Sequence, residues 1–160
     1  MTTNPSDSES NVSFREKSAW ASLAIMLVVF VPYFVGIFRH FARGELTGGY
    51  VLGEFLSAAA FQVVLLVVVH VAIAIRSGQE SKDERDIAIE SKAFRNAYFV
   101  LISSCFVIIP GVIALGFSLD PGSVNRLTAP AFLSQLLLLC FIVAEAAKYL
   151  TQVLGYRRGA

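Results

Sequence analysis

The sequence predicts an all-α protein whose four helices cross a membrane in antiparallel order. The chain has 160 residues, of which 56% are hydrophobic and only 16% are charged, whereas soluble domains are about half apolar and about a quarter charged. Four apolar stretches are each long enough to cross a bilayer core of about 30 Å as a helix. The charged residues gather between these stretches and in one dense run, residues 81–98. Together these observations indicate four transmembrane helices, the third of which extends into the cytosol.

The first 17 residues are polar and rich in Ser, Asn and acidic side chains, a composition that predicts a disordered tail. The first span is predicted from about Ser18 to Phe38. It is too long for the core of a signal peptide, and no small-residue cleavage site follows it, so we expect it to be retained. Trp20, near its start, is typical of an anchor at the membrane surface.

Residues 39–50 predict a short loop, because charged residues and the pair Gly48 and Gly49 interrupt the apolar pattern. The second span is predicted from about Val51 to Ile75. Small residues recur at every fourth position near its start, namely Gly49, Gly53 and Ser57. This spacing either allows another helix backbone to approach closely or arises by chance.

The charged segment is predicted to be a cytosolic helix over residues 81–96. Ser81 and Glu84 have the spacing of a capping box, which predicts a helix start at Ser81. No obvious breaker separates this helix from the third span, residues 97–117, so one helix of about 55 Å is expected to project from the membrane. A turn is predicted over residues 118–129, which contain Asp-Pro-Gly. The fourth span follows over residues 130–153.

The distribution of Lys and Arg predicts the orientation. With four spans, both termini and the charged segment share one side of the membrane. That side carries nine basic residues: Arg15, Lys17, Arg76, Lys82, Arg85, Lys92, Arg95, Arg157 and Arg158. The opposite side carries three: Arg39, Arg43 and Arg126. Because cytosolic loops carry the excess of basic residues, both termini and the charged segment are predicted to be cytosolic.

One face of the charged helix mixes acidic and apolar side chains. At 100° per residue, Asp83, Asp86 and Glu90 share a stripe with Ile87 and Phe94. The two apolar side chains gain free energy when they are covered, so we predict that this stripe binds a protein partner or a second copy of the chain. The alternative is that the helix rests on its own neighbours. A metal site is not expected, because three carboxylates on one rigid helix cannot surround a cation.

The same segment resembles a signature of known proteins. It reads Lys82-Asp83-Glu84-Arg85-Asp86, then Ile89-Glu90-x-Lys92-Ala93-x-Arg95, and it leads directly into a span. This is similar to the K-D-E-R-D…I-E-x-K-A segment of small uncharacterised prokaryotic four-span integral membrane proteins. The resemblance implies a location in the bacterial inner membrane and no particular activity.

Ionisable side chains within spans are costly and are therefore functional candidates. His70 lies near the end of the second span, and Glu145 lies in the fourth span with Lys148 on the same face. One interpretation is an ion pair between Glu145 and Lys148, whose long stem reaches the membrane surface. The other is a proton or cation relay between Glu145 and His70. Gln62 and Gln135 are candidates for hydrogen bonds between helices.

Other classes of function lack a sequence signal. The net charge of +1 gives no reason to expect nucleic acid as a partner. Cys105 and Cys140 lie in apolar runs without C-x-x-C spacing, so we expect structural roles for both. No phosphate-binding loop or zinc motif is present, and neither a cofactor nor catalysis is predicted. The sequence therefore favours a non-enzymatic membrane scaffold or regulator that acts through its charged helix. The alternative is a small transporter or channel component that uses His70 and Glu145.

Overall fold

A computed structural model of the chain describes residues 14–77, 83–118 and 130–158. These residues form four α-helices: α1 (Phe14–Arg43), α2 (Gly48–Ser77), α3 (Glu84–Ser118) and α4 (Pro130–Arg158). All four are long and apolar enough to cross a membrane. The predicted fold class is confirmed in that the described residues form an all-α protein with four antiparallel helices, each capable of crossing a membrane. The predicted tail up to residue 13 and the predicted turn from residue 119 lie outside the described ranges.

The first two helices are longer than predicted and their connection is shorter. α1 begins at Phe14, whereas the first span was predicted to begin at Ser18. The predicted loop over residues 39–50 is wrong except for residues 44–47, because the rest of it belongs to α1 and α2. α1 ends at Arg43, and the next residue, Gly44, has a φ of 73°, which suits a residue without a Cβ atom. The Gly44 N–H donates to the Phe41 carbonyl (2.9 Å) and the Glu45 N–H to the His40 carbonyl (3.0 Å). These two bonds form a Schellman motif, which ends the helix within one turn.

α2 begins directly after Thr47, whose hydroxyl accepts a hydrogen bond from the Tyr50 N–H at 3.3 Å. Thr47 is therefore the N-cap, and Gly48 and Gly49 belong to the first helical turn rather than to the reversal. A Cβ atom added to Gly49 or Gly53 would find no other atom within 4 Å. Gly49 and Gly53 therefore face open space, and within the described ranges no other helix approaches them closely.

α3 is one continuous helix of 35 residues that includes both the charged segment and the third span. Its N-cap is Asp83, whose carboxylate accepts the Asp86 N–H at 2.7 Å, while the Asp86 carboxylate accepts the Asp83 N–H at 3.2 Å. This reciprocal pair is a capping box and lies two residues after the predicted one. The predicted helix start at Ser81 is therefore wrong, since α3 starts at Glu84. Ser81 itself lies outside the described residues.

The helices lie side by side in the order α2, α1, α4, α3. α4 packs most extensively on α3 and also on α1, while α2 packs on α1 and meets α4 only slightly. Among the described residues, the backbone of α3 makes no close approach to α1 or α2. α1 and α4 are therefore the central pair, and α2 and α3 are the outer helices.

The core lies mainly along α1. Buried side chains from α1 and one from α2 form its centre: Leu23, Ile25, Met26, Val29, Phe30, Tyr33, Phe34, Ile37 and Val51. Between the second turn of α4 and the facing part of α1, the Tyr33 hydroxyl donates to Oε1 of Gln135, which joins α1 to α4. The predicted hydrogen bond between helices is therefore present for Gln135. It is absent for the buried Oε1 of Gln62, which has no partner among the described residues.

The two cysteines lie on the outer helix α3 and the central helix α4. Both are free thiols, and Cys140 is buried whereas Cys105 is partly exposed. At the opposite end of the bundle from the charged segment, the rings of Phe41 and Phe132 stack with centroids 4.0 Å apart and thereby join the end of α1 to the start of α4. Aromatic pairs of this kind add stability beyond the area that they bury.

Candidate functional site

Three helix ends meet at the charged end of the bundle. Arg15 Nε, at the start of α1, lies 2.8 Å from Asp86 Oδ2 at the start of α3. Arg157 Nε, at the end of α4, lies 3.5 Å from Glu16 Oε1. Arg85 donates from Nη2 to the carbonyl oxygen of a fourth-helix residue, Tyr156, at 3.3 Å. We call these contacts the charged cluster. It connects α1 and α3 through side chains although their backbones remain apart.

Asp86 has two roles in this cluster. Its carboxylate completes the capping box of α3 and also pairs with Arg15, whose side chain is about one quarter exposed. The carboxylate oxygen lies off the direction of the Arg15 Nε–H bond, so the contact is an ion pair rather than a directed hydrogen bond. The start of α3 is therefore fastened to α1 by the residue that also caps it.

A small polar cavity of about 150 Å³ lies below the charged cluster, where α1, α3 and α4 meet. Its lining combines charged, hydroxyl and amide side chains: Arg15, Ser18, Ser22, Glu90, Tyr149, Gln152 and Tyr156, with Ala19. Ser22 links this cavity to the second helix, because its hydroxyl lies 3.3 Å from Nε2 of His70.

Both ring nitrogens of His70 have hydrogen-bond partners. Nδ1 lies 2.8 Å from the Leu66 carbonyl oxygen, and a carbonyl oxygen can only accept, so Nδ1 carries a hydrogen. The Ser22 hydroxyl can either donate to a bare Nε2 or accept from an Nε2–H, so it satisfies this nitrogen in either form. Both ring nitrogens of His70 therefore have partners that are not ionised.

Glu145 is paired with Lys148, one turn further along α4. The Lys148 ammonium also lies over the ring of Phe94, 5.4 Å from its centroid, and over that of Tyr149 at 4.6 Å. The ion-pair interpretation of Glu145 is therefore the arrangement that the structure contains. His70 and Glu145 each bond to a different partner, and no contact between them occurs in the described part of the chain.

The predicted stripe on α3 divides into two edges. Its acidic edge faces the other helices, since Asp86 pairs with Arg15 and Glu90 lines the polar cavity, while Asp83 caps the helix. Its apolar edge faces outward, with Ile87 and Phe94 each 54% exposed. Ser91 and Tyr98 continue this edge, and Tyr98 is 63% exposed. We call Ile87, Ser91, Phe94 and Tyr98 the exposed stripe.

Several residues of this region were not identified as site candidates from the sequence. Arg15 and Arg157 counted only toward the charge distribution, and Ser22 and Tyr156 carried no signal. The available signal was topological: in an antiparallel bundle, charged residues at the start of α1, the start of α3 and the end of α4 share one end. What the sequence lacks is the rotation of each helix about its axis, which decides the pairing.

Within the described ranges, no group of three or more His, Cys, Asp or Glu side chains is placed to hold a metal ion. Comparisons of the chain with protein-family models, with curated proteins and with solved structures find no match.

Proposed function

We propose that this protein is a non-enzymatic integral membrane scaffold or regulator that binds a protein partner through the exposed stripe of α3. The observation that carries this proposal is Ile87, which is 54% exposed on a helical turn flanked by Glu84, Arg85 and Asp86. Charged residues at this density are too costly to lie in hydrocarbon, so Ile87 is held at water level, where lipid does not cover it. A large exposed apolar side chain at such a position gains free energy when a partner covers it.

The rest of the region supports a fixed platform rather than a flexible tail. The capping box and the Arg15–Asp86 pair hold the start of α3, and the Lys148 ammonium lies over the Phe94 ring. The stripe is therefore presented in one orientation, which lowers the entropy that binding must overcome.

The proposed location is the bacterial inner membrane, with both termini and the exposed stripe in the cytosol. The excess of Lys and Arg at the charged end supports this orientation, and the resemblance of the charged segment supports the location. Reporter fusions at Ala160 and in the α1–α2 connection at Thr47 test it. We expect the fusion at Ala160 to report the cytosol and the fusion at Thr47 the opposite side; any other pattern contradicts the orientation.

Site-specific photo-crosslinking in intact cells tests partner binding. A photoreactive amino acid at Ile87 or Phe94 should give a discrete crosslinked product of higher mass. The control is the same amino acid at Arg95, which is exposed on the same helix but about 80° from Ile87 at 100° per residue. Equal products at all three positions, or none at Ile87 and Phe94, would contradict the proposal.

Co-expression of two copies with tags of different size separates the possible partners. A second copy of the chain gives a mixed-tag product, whereas a different protein shifts each tagged copy by the same added mass. Replacing Ile87 and Phe94 by Ser should weaken either product, because the apolar area that the partner covers is then lost.

The alternative function, a small transporter or channel component, has less structural support. It requires Glu145 and His70 to exchange a proton or cation, whereas Glu145 is paired with Lys148 and both nitrogens of His70 are bonded within α2 and to α1. Proton or cation flux in liposomes that contain the purified protein, lost on His70→Leu, would favour this alternative instead.

A further inference from the structure

A second surface feature lies on the opposite side of the charged end from the polar cavity. It is a groove of about 360 Å³ between the first turns of α3 and the last turns of α4. Its walls combine apolar and basic side chains: Ala88, Ile89 and Lys92 from α3, and Leu154, Gly155 and Arg158 from α4. It shares no lining residue with the exposed stripe.

The floor of the groove is apolar and closely packed. A Cβ atom added to Gly155 would lie 2.9 Å from Cγ2 of Ile89, so the two helices are in contact there through a glycine. At the inner end of the groove, Asn96 Nδ2 donates to Thr151 Oγ1 at 3.3 Å. The polar groups at the inner end are thus bonded to one another. The apolar floor stays accessible to a ligand from the groove.

Both cations of the groove lack an acidic partner among the described residues. Of the carboxylates at this end of the bundle, Asp86 pairs with Arg15, Glu16 pairs with Arg157, and Glu90 lines the polar cavity. Glu84, one turn before Ala88, is exposed and does not line the groove. Lys92 and Arg158 are both exposed. The groove therefore has a positive rim above an apolar floor.

The groove also continues into the apolar part of the bundle. Phe99, which follows Lys92 by two helical turns on the same face of α3, is 61% exposed, and on α4 Leu150 is 48% exposed. A molecule with a negative headgroup at Lys92 and Arg158 would lay its apolar part over these side chains. A free inorganic anion would use the rim and leave the floor uncovered.

We propose that this groove binds an anionic phospholipid of the surrounding membrane, with the headgroup phosphate at Lys92 and Arg158 and an acyl chain along Leu154, Leu150 and Phe99. Basic pockets between helices at the membrane surface have the chemistry that anionic headgroups require. The guanidinium of Arg158 offers a planar pair of donors to a phosphate, and Lys92 adds a point charge. This inference does not depend on the proposed protein partner.

Native mass spectrometry of the full-length protein in detergent tests the proposal. Phosphatidylglycerol and phosphatidylcholine with the same acyl chains are titrated separately, and the apparent Kd of each is measured. Each basic residue at a membrane surface contributes about fivefold to the binding of anionic lipid. The double variant Lys92→Gln, Arg158→Gln is therefore expected to weaken phosphatidylglycerol binding about 25-fold and to leave phosphatidylcholine binding unchanged.

Two controls separate the groove from general charge. The double variant Lys17→Gln, Arg95→Gln removes the same charge from exposed positions outside the groove and should keep the native affinity. Ala88→Phe fills the groove without changing any charge and should weaken phosphatidylglycerol binding, whereas Ser91→Phe on the exposed stripe should not. If the variant Lys92→Gln, Arg158→Gln melts at a lower temperature than the native protein, its loss of lipid binding could reflect instability. Ala88→Phe, which keeps both cations, then tests whether the groove binds phosphatidylglycerol.

Four results would overturn the proposal. They are equal binding of the two lipids, equal losses in the two charge variants, native affinity in Ala88→Phe, and displacement of phosphatidylglycerol by excess inorganic phosphate. The last result would identify the rim as a site for a free anion instead of a lipid.

Discussion

α1 and α2 are equally long and both strongly apolar, yet they occupy different environments. Each has 30 residues. In the most apolar stretch of α1 half of the residues are buried within the bundle, whereas in the most apolar stretch of α2 none are. The difference lies in side-chain shape and position. α1 carries Phe30, Tyr33 and Phe34, whose rings contact one another with centroids 5.1–6.2 Å apart, and it lies between two helices. α2 is rich in valines that face outward: Val63, Val64, Val67, Val68 and Val71.

The central helix α4 differs from the outer helix α3 in the same way. In its most apolar stretch α4 has 22% of its residues buried, whereas α3 has none buried in the corresponding stretch. In water, such exposed apolar surface would be unstable, but hydrocarbon covers it at no cost. Between membrane helices there is no hydrophobic driving force, so packing and hydrogen bonds decide which helix is central. Burial within this bundle is therefore a property of fit rather than of hydropathy.

We expect the largest effect when the same substitution, isoleucine to alanine, is made once on a central helix and once on an outer helix. Ile37 on α1 is fully buried, whereas Ile109 on α3 is 53% exposed. Ile37→Ala should destabilise the protein by about 3 kcal/mol, since it leaves a cavity that the core cannot close. Ile109→Ala should change the free energy of unfolding by less than about 0.5 kcal/mol. Titration with a denaturing detergent, followed by circular dichroism, measures both; similar losses would refute the assignment of central and outer helices.

A second comparison uses two glycines. Gly155→Ala introduces a Cβ atom 2.9 Å from Ile89, whereas the same change at Gly53 meets no atom within 4 Å. Overpacking at Gly155 should cost about 2 kcal/mol by forcing α3 and α4 apart. Gly53→Ala should be neutral or should stabilise α2 by about 0.5 kcal/mol, because alanine is the better helix former. The same denaturation assay applies, and a neutral Gly155→Ala would show that the α3–α4 contact is looser than described.

The positions of the four helices could be predicted from the sequence because span length and hydropathy are properties of the chain alone. The continuity of α3 followed in the same way from the lack of a breaker between the charged segment and the third span. The connection between α1 and α2 could not be predicted as well, because Gly44 and the pair Gly48 and Gly49 are equally suited to a turn. Their roles depend on where α1 ends.

The pairing of side chains was less predictable. The sequence indicated which helix ends share a side but not how each helix is rotated. The stripe on α3 was therefore predicted as a single face, whereas the structure divides it into an inward acidic edge and an outward apolar edge. α3 packs on α4 through Ile89, Ala93 and Ala97, which are buried. This packing fixes the rotation of α3, so that Asp86 faces Arg15 and Ile87 faces outward. These three residues recur every four positions, a signal that the charged residues around them obscured.

A smaller effect is expected where an outer helix is held by polar contacts instead of burial. Asp83→Ala removes the N-cap of α3 and should cost about 1 kcal/mol. Exchange protection of the amides of residues 86 and 87 should fall, since both bond to Asp83, while the spans keep theirs. Glu84→Ala, at the neighbouring exposed position, is the control. Unchanged protection in Asp83→Ala would mean that the Arg15–Asp86 pair alone holds this end.

The smallest effect concerns His70 on an outer helix and Glu145 on a central one. The relay hypothesis predicts coupling, so that the double change to Leu costs less than the sum of the single changes. The structure leads to the opposite expectation, because His70 bonds to Ser22 and Glu145 to Lys148, and residues without a shared partner contribute additively within about 0.5 kcal/mol.

Two further double-mutant cycles provide the matched comparison. Ser22→Ala with His70→Leu, and Glu145→Leu with Lys148→Leu, should each show coupling above about 0.5 kcal/mol, since each removes both members of a pair. A lone Glu145 or Lys148 would leave an unpaired charge in the bundle, which costs more than losing the pair. Coupling of His70 to Glu145 that exceeds both would show that the second helix rotates toward the fourth in the membrane, and it would restore the transport hypothesis over that of a scaffold.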